Sequence, residues 1–304
     1  MPTNDGADAG AMERSLTVLE PIDPTTAGRQ LREAKEIMDQ LRVTFFLRQG
    51  TCLGAIREGS LISWDDDMDI GSVIGLHGLT GSYVDPVVAS FKDKGYFARE
   101  IIRNDHSVVV SFVKSSIRLD WACYRIIDDS IYHYPGVQIP LRLLTQLKEI
   151  DFVGEKFLVP NPPEEYLKYK YGPEWMTPKA GGRYENDIVR LITREPMPGR
   201  ASRLRQFLTR QIPRWRVARL RVLNSKGEPV SDAEVVIVGL NRSRTNGQGY
   251  ARFYLPLLDY YPIIVRYDDH EELLYMEEMG PGKTYVYQAD PSMTSGRNAV
   301  LPVE

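Results

Sequence analysis

Asp65, Asp66, Asp67 and Asp69 put four carboxylates into five positions, inside the stretch from Arg48 to Ile70. Like charges this close raise one another's pKa, so the crowding is unfavourable unless a cation sits among them. In an extended chain, alternation sets Asp65, Asp67 and Asp69 on one face and turns Met68 and Ile70 towards a core. A row of carboxylates open to solvent is an all-oxygen donor set, which suits Mg²⁺ or Mn²⁺. Just upstream, Gly50-Thr51 joins a hydrophobic segment to a helical one. A strand, a Gly-Thr turn and a helix N-terminus leave backbone N–H groups where a phosphate can sit. Phosphoryl transfer from a nucleotide donor needs both an anion cradle and a metal site. A further acid, Asp120, lies between Leu119 and Trp121. Alone it could be an exposed strand residue. Inside an apolar strand an acid needs a partner, and a cation shared with Asp67 and Asp69 supplies one.

The elements that must position these groups are legible around them. Residues 43–47 read as a buried strand and 52–58 as a short helix. Asp23-Pro24 suits an N-cap and first helical residue, and Leu31, Ala34, Met38 and Leu41 follow on one helical face. Residues 74–82 read as a loop and 85–94 as a helix stopped by Gly95. Strands are expected over 96–102, 107–114 and 117–124, the last carrying Asp120. Residues 125–134 read as strand, turn and strand, 151–159 as a hairpin about Gly154, and 164–171 as a helix ended by Gly172-Pro173. Tyr166, Tyr169 and Trp175 could line a pocket, but such aromatics more often pack. His106, alone beside the sheet, reads as structural. Arg57, on the helix after the turn, could clamp a phosphate oxygen, the alternative being an ion pair with Glu58 or with the cluster.

The run Gly50-Thr-Cys-Leu-Gly-Ala-Ile-Arg57, followed by Ile62-Ser-Trp-Asp-Asp-Asp-Met-Asp-Ile70, resembles the signature of the LicD/fukutin family, a branch of the nucleotidyltransferase superfamily. Ser63 stands where proline is usual. The closing stretch from Tyr166 to Pro178 is similar to that family's Tyr-Gly, Trp and Pro element, so the likeness covers roughly residues 25–185. It implies an α+β fold: a nucleotidyltransferase-fold mixed sheet with flanking helices. It implies Asp67, Asp69 and Asp120 as catalytic and metal-holding residues, and Mg²⁺ (or Mn²⁺) as cofactor. Gly50, Thr51 and Arg57 would bind the donor phosphates, with Asp65 and Asp66 beside them. The implied activity moves a phospho-alcohol, phosphocholine or a polyol phosphate, from a CDP-linked donor to a sugar hydroxyl of a cell-surface glycan or glycolipid, releasing CMP. The alternatives are a nucleotidyltransferase releasing pyrophosphate, a nucleotide-sugar glycosyltransferase, and a non-catalytic glycan-binding protein.

The rest of the chain divides by composition. Residues 1–22 are small and polar at the start, without a signal-peptide pattern, and are expected to be a disordered tail. Residues 23–195 form the expected catalytic domain. Residues 196–214 carry Arg200, Arg203, Arg205, Arg210 and Arg214 with apolar residues at helical spacing. That reads as a basic helical linker, able to touch an anionic membrane surface or to pack as a solvated connector. Residues 215–304 show short alternating strands between Gly and Pro turns, an all-β sandwich. Its segments 226–238 and 245–253 resemble the carboxypeptidase regulatory-like, transthyretin-like module. A formal net charge of −3 excludes a protein built to coat nucleic acid. Two cysteines, Cys52 and Cys123, make no disulfide framework, which favours a reducing compartment. The expected location is cytoplasmic, or peripheral at the inner face of the membrane.

Overall fold

The structure is a computed structural model that describes residues 10–15, 20–103, 107–126, 129–133, 137–179, 217–238, 241–255, 258–290 and 301–304. The chain separates into two compact units, residues 1–133 with 138–176, and residues 134–137 with 177–304. The expected basic helix at 196–214 and His106 lie outside the described residues.

The first unit begins with a helical turn, α1 (10–15), inside the segment expected to be disordered. Met12 is completely buried there, and Glu13 pairs with Arg99 at 3.0 Å. The buried methionine gives a short polar segment enough apolar contact to stay ordered. Helix α2 (Pro24–Gln40) starts as its sequence requires. Asp23 accepts a hydrogen bond from the Thr26 N–H at 2.8 Å, and Pro24 occupies the first turn. Its buried stripe is Ala27, Leu31, Ala34, Ile37 and Met38. There follow β1 (Phe46–Leu47), α3 (Gln49–Arg57), β2 (Asp67–Ile74), a single 3₁₀ turn, α4 (Val84–Asp93), β3 (Phe97–Arg103), β4 (Ser107–Lys114) and β5 (Ile117–Arg125). These five strands form one mixed sheet in the order β1-β2-β5-β4-β3. β2 and β5 run parallel, and every other pairing is antiparallel.

The parallel pair decides the site. Its apolar side chains Met68, Ile70, Leu119 and Trp121 are completely buried. By alternation the acids of both strands then share the opposite face. Beyond the sheet come β6 (Ser130–His133) paired with β7 (Val137–Pro140), a short α5 (Arg142–Thr145), and a hairpin of β8 (Lys148–Phe152) and β9 (Glu155–Val159). Gly154 turns that hairpin at φ +84°. α6 (Pro163–Tyr171) ends at Gly172, φ +83°, a conformation glycine adopts without steric cost.

The second unit is all-β. β10 (Val217–Leu223), β13 (Tyr250–Tyr254) and β16 (Thr284–Gln288) form one sheet. β11 (Glu234–Ile237), β12 (Asn241–Arg244), β14 (Asp259–Tyr267) and β15 (His270–Met279) form another. Leu220, Val222, Val235, Ile237, Ile263, Val265, Leu274 and Tyr285 from both sheets enclose one core, the arrangement of a sandwich. β12 and β15 were not expected. The acids of β15 hide its strand pattern, yet Glu272 and Glu277 are buried because each is partnered. Glu272 accepts the Tyr287 hydroxyl at 2.5 Å, and Glu277 accepts the Leu301 N–H at 3.1 Å. Among the described residues no helix is long and apolar enough to cross a membrane, and Cys52 and Cys123 are buried free thiols.

Candidate active site

The cluster grows from where β2 starts. Regular strand begins at Asp67, not Asp65. Asp65 and Asp66 therefore lie in irregular chain, where alternation does not hold. One carboxylate oxygen each from Asp65, Asp66 and Asp67 falls within a 4.8 Å group. Alternation continued back to Asp65 would turn Asp66 away, whereas here its carboxylate joins those of Asp65 and Asp67. The Asp65 carboxylate lies against Gly50. A Cβ at that position would overlap Asp65 Oδ2 and come within 3.2 Å of its Cγ.

Helix α3 starts three residues earlier than expected, so Gly50 and Thr51 occupy its first turn. The Thr51 side chain is completely buried, and its hydroxyl accepts the Asp69 N–H at 2.7 Å. That hydroxyl, expected to meet phosphate, instead ties α3 to β2. Gln49, at φ +44°, donates its N–H to the Tyr166 hydroxyl at 3.0 Å. Tyr166 and Trp175 are buried packing residues, and Tyr169 is exposed.

The parallel register sets Asp69 beside Asp120, and Asp67 beside Arg118. Asp67, Asp69 and Asp120 thus share a face with Arg118, as the sequence implied for Asp120. Two arginines that the sequence did not single out divide these acids between them. Arg48 is 5% exposed. It pairs with Asp69 Oδ1 at 2.7 Å and donates to the Ile70 carbonyl at 3.0 Å and the Tyr124 hydroxyl at 3.1 Å. Arg118 contacts Asp67, Asp66 at 3.1 Å and Asp120 at 3.6 Å. Ser111, opposite Asp120 on β4, donates its hydroxyl to Asp120 Oδ1 at 2.5 Å.

Burial and mutual repulsion outweigh these cations. Burial first, then Asp67 and Asp69, push Asp65 up to about 8. Burial and Asp67 push Asp66 to about 6 against the pull of Arg118. Burial raises Asp69 to about 8 although Arg48 opposes it, and raises Asp120 despite Arg118. The site is therefore short of positive charge. An all-oxygen, desolvated cluster of this kind fits a hard divalent cation.

Arg57 takes the alternative the sequence allowed. It pairs with Glu58 at 2.6 Å and reaches the Trp175 carbonyl at 3.4 Å. Two buried groups behind Asp69 also escaped notice. Lys170 is 2% exposed and its charge pulls on Asp69. His133 stacks on Tyr124 at 4.6 Å, and burial holds it neutral. For Arg118 a signal existed: it stands two residues before Asp120 and so must share its face.

Comparison with known proteins bears on this segment. Residues 42–162 match the family model described as LicD/FKTN/FKRP, nucleotidyltransferase domain. The ribitol 5-phosphate transferase FKRP of Mus musculus is 27% identical over 164 residues, 49% of this chain and 33% of that protein. The ribitol-5-phosphate transferase FKTN of Homo sapiens is 27% identical over 162 residues, 50% of this chain and 34% of that protein. The chain thus spans about a third of the length of these curated relatives. A solved structure of the antibiotic-resistance factor ANT(2'')-Ia is 14% identical, covers 62% of this chain and 99% of its own, and superposes with a TM-score of 0.37, too loosely to build on. The matched span contains Asp65, Asp66, Asp67, Asp69 and Asp120 together with Arg48 and Arg118. The segment that carries all five aspartates is therefore the one that matches the LicD/FKTN/FKRP nucleotidyltransferase-domain model.

Proposed function

We propose that this protein is a metal-dependent transferase that moves a phospho-alcohol from a CDP-linked donor to a hydroxyl of a glycan or glycolipid, releasing CMP. The observation that carries the reading is the β2–β5 register, with Asp69 opposite Asp120 and Asp67 one alternation away on the same face. The relatives' names, ribitol-phosphate transferases, support the class of group transferred. Asp67, Asp69 and Asp120 would hold the ion, with Asp65 and Asp66 adding charge beside it. A bound Mg²⁺ or Mn²⁺ supplies neutralisation of the donor diphosphate as the phosphoryl bond changes hands.

The chain's own groups do the rest. The first turn of α3, at Gly50 and Thr51, offers backbone N–H groups and the positive end of a helix dipole to phosphate oxygens. Asp120 is half-buried, and loss of water around it raises its affinity for a proton. It is suited to take the proton of the acceptor hydroxyl while that oxygen bonds to phosphorus and the bond to CMP breaks. The Ser111 hydroxyl fixes the other face of its carboxylate. The second unit supplies no chemistry in this reading.

The test is product analysis with CDP-ribitol and CDP-choline, an oligosaccharide acceptor and Mg²⁺. CMP should accumulate. Asp67→Asn or Asp69→Asn should lower turnover by about a hundredfold or more with the melting transition retained. Pyrophosphate as product would establish the nucleotidyltransferase alternative. Near-normal turnover in either variant would overturn the metal assignment.

A further inference from the structure

Arg118 touches three of the acids at once. One guanidinium nitrogen serves Asp66 and Asp67, and Nε lies 3.6 Å from Asp120. The residue is 8% exposed. Its Nε is buried and makes no hydrogen bond among the described residues, so that nitrogen is held in the cluster by charge alone. Its second terminal nitrogen donates to the Ser15 carbonyl of α1 at 2.9 Å. The position is built in, because β5 sets Arg118 directly opposite Asp67.

We propose that Arg118 is a resident counter-cation that competes with the divalent ion for Asp67 and Asp120 and so weakens that ion's binding. This rests on the metal reading above. Two cations cannot share the same carboxylate oxygens without repulsion, which is strong in a desolvated site. An incoming ion must displace the guanidinium from Asp67 and Asp120. The Ser15 carbonyl gives the displaced side chain a place to remain. Arg118 is thus a positioning residue: it keeps crowded acids together before the ion arrives and limits the ion's affinity afterwards. An arginine that merely braced the fold would do the opposite, since its loss would loosen the ligands and weaken the ion.

The experiment is Mn²⁺ binding to the full chain by calorimetry or by electron paramagnetic resonance, without donor or acceptor. Arg118→Gln should tighten Mn²⁺ about tenfold or more, whereas Arg118→Lys, which keeps the charge, should stay near wild type. Unchanged or weaker binding in a folded Arg118→Gln would overturn the proposal. Should that variant not fold, the wild type still decides. The Arg118 Nε–H resonance must shift as Mg²⁺ is titrated, and a resonance unmoved at saturation refutes displacement. Wild-type binding that vanishes in Asp67→Asn shows the metal reading holds even if Arg118 proves inert. Absence of binding in wild type and Arg118→Gln alike sinks that reading itself, and the proposal with it.

Discussion

Replacing Arg48 by methionine isolates the energetics of the buried half of the cluster. Arg48 and Asp69 have side-chain exposures of 6% and 10%, and their charges meet at 2.7 Å. Removing one partner of a buried pair costs about 3–5 kcal/mol when the other charge must stay ionised, but a carboxyl already held near 8 can take a proton instead. The Ile70 carbonyl and Tyr124 hydroxyl lose a donor as well. The loss should depend on pH. Burial already holds Asp69 near 8 with Arg48 present, so without Arg48 it rises further. The unfolded carboxyl titrates near 4. Above that value the native state of the variant binds more protons than the unfolded state, and stability falls as pH rises. Below about pH 5 Asp69 stays protonated in both proteins, and only packing and hydrogen bonds are lost, about 1–2 kcal/mol. Near pH 8.5 wild-type Asp69 is mostly ionised beside Arg48 while that of the variant stays protonated, which adds at most about 1 kcal/mol to the loss, or about 2–4 °C in melting temperature for a domain of this size. Urea unfolding of Arg48→Met, Asp69→Asn and the double variant completes a cycle. Asp69→Asn should restore much of what Arg48→Met loses at high pH. A loss that is the same at both pH values, or that Asp69→Asn does not repair, refutes an uncompensated charge as its cause.

Two more outcomes separate site from scaffold. Gly50→Ala must push the Asp65 carboxylate, a movable side chain, whereas Gly54→Ala drives its Cβ to 2.6 Å from the Ser60 carbonyl, which is backbone. Gly50→Ala should therefore leave stability within about 1–2 kcal/mol but weaken Mn²⁺ binding severalfold, and Gly54→Ala should cost more in urea unfolding; equal stability losses would count against this placement of Asp65. In the presence of a chelator the wild type should melt lower at pH 8 than at pH 6, because Asp65 and Asp69 titrate about four units above their unfolded values and stability drains away through that window. Added Mg²⁺ should flatten the slope, and a melting temperature that rises with pH under chelation would contradict the raised carboxyls.

Much of the first unit was legible because its signals are local. Asp23-Pro24 opens α2, glycines turn the β8–β9 hairpin and close α6, and alternation finds β4 and β5. The face of Asp120 followed from the same period. What local pattern cannot show is where a strand begins. A slip of two residues at Asp65 exchanged an expected alternating row for a cluster that includes Asp66. The second unit shows the limit differently. β12 is short and polar, and β15 interleaves acids with apolar residues, so neither has the pattern of a half-buried strand. The partners of Glu272 and Glu277 on β15, the Tyr287 hydroxyl and the Leu301 N–H, lie 15 and 24 residues away.

The arginines escaped notice for a reason that bears on mechanism. Arg48 reaches Asp69 from the junction of β1 and α3, and Arg118 reaches Asp66 and Asp67 across the parallel pair. Only folding makes either a neighbour of the acids. They offset only part of the acids' mutual repulsion, since burial and neighbouring carboxylates still hold Asp65 and Asp69 near 8 with both arginines in place. The two serve unequal parts of the cluster. Asp69 is locked, its partner bound also to a carbonyl and a tyrosine hydroxyl. Asp66 and Asp67 are more open, with side-chain exposures of 22% and 16%, and share one guanidinium with Asp120. An ion would therefore enter from the Asp65–Asp67 side, where the compensating charge is spread over three carboxylates, and would meet Asp69 last. A site arranged this way carries part of its compensating charge in the chain itself and leaves the rest to an ion.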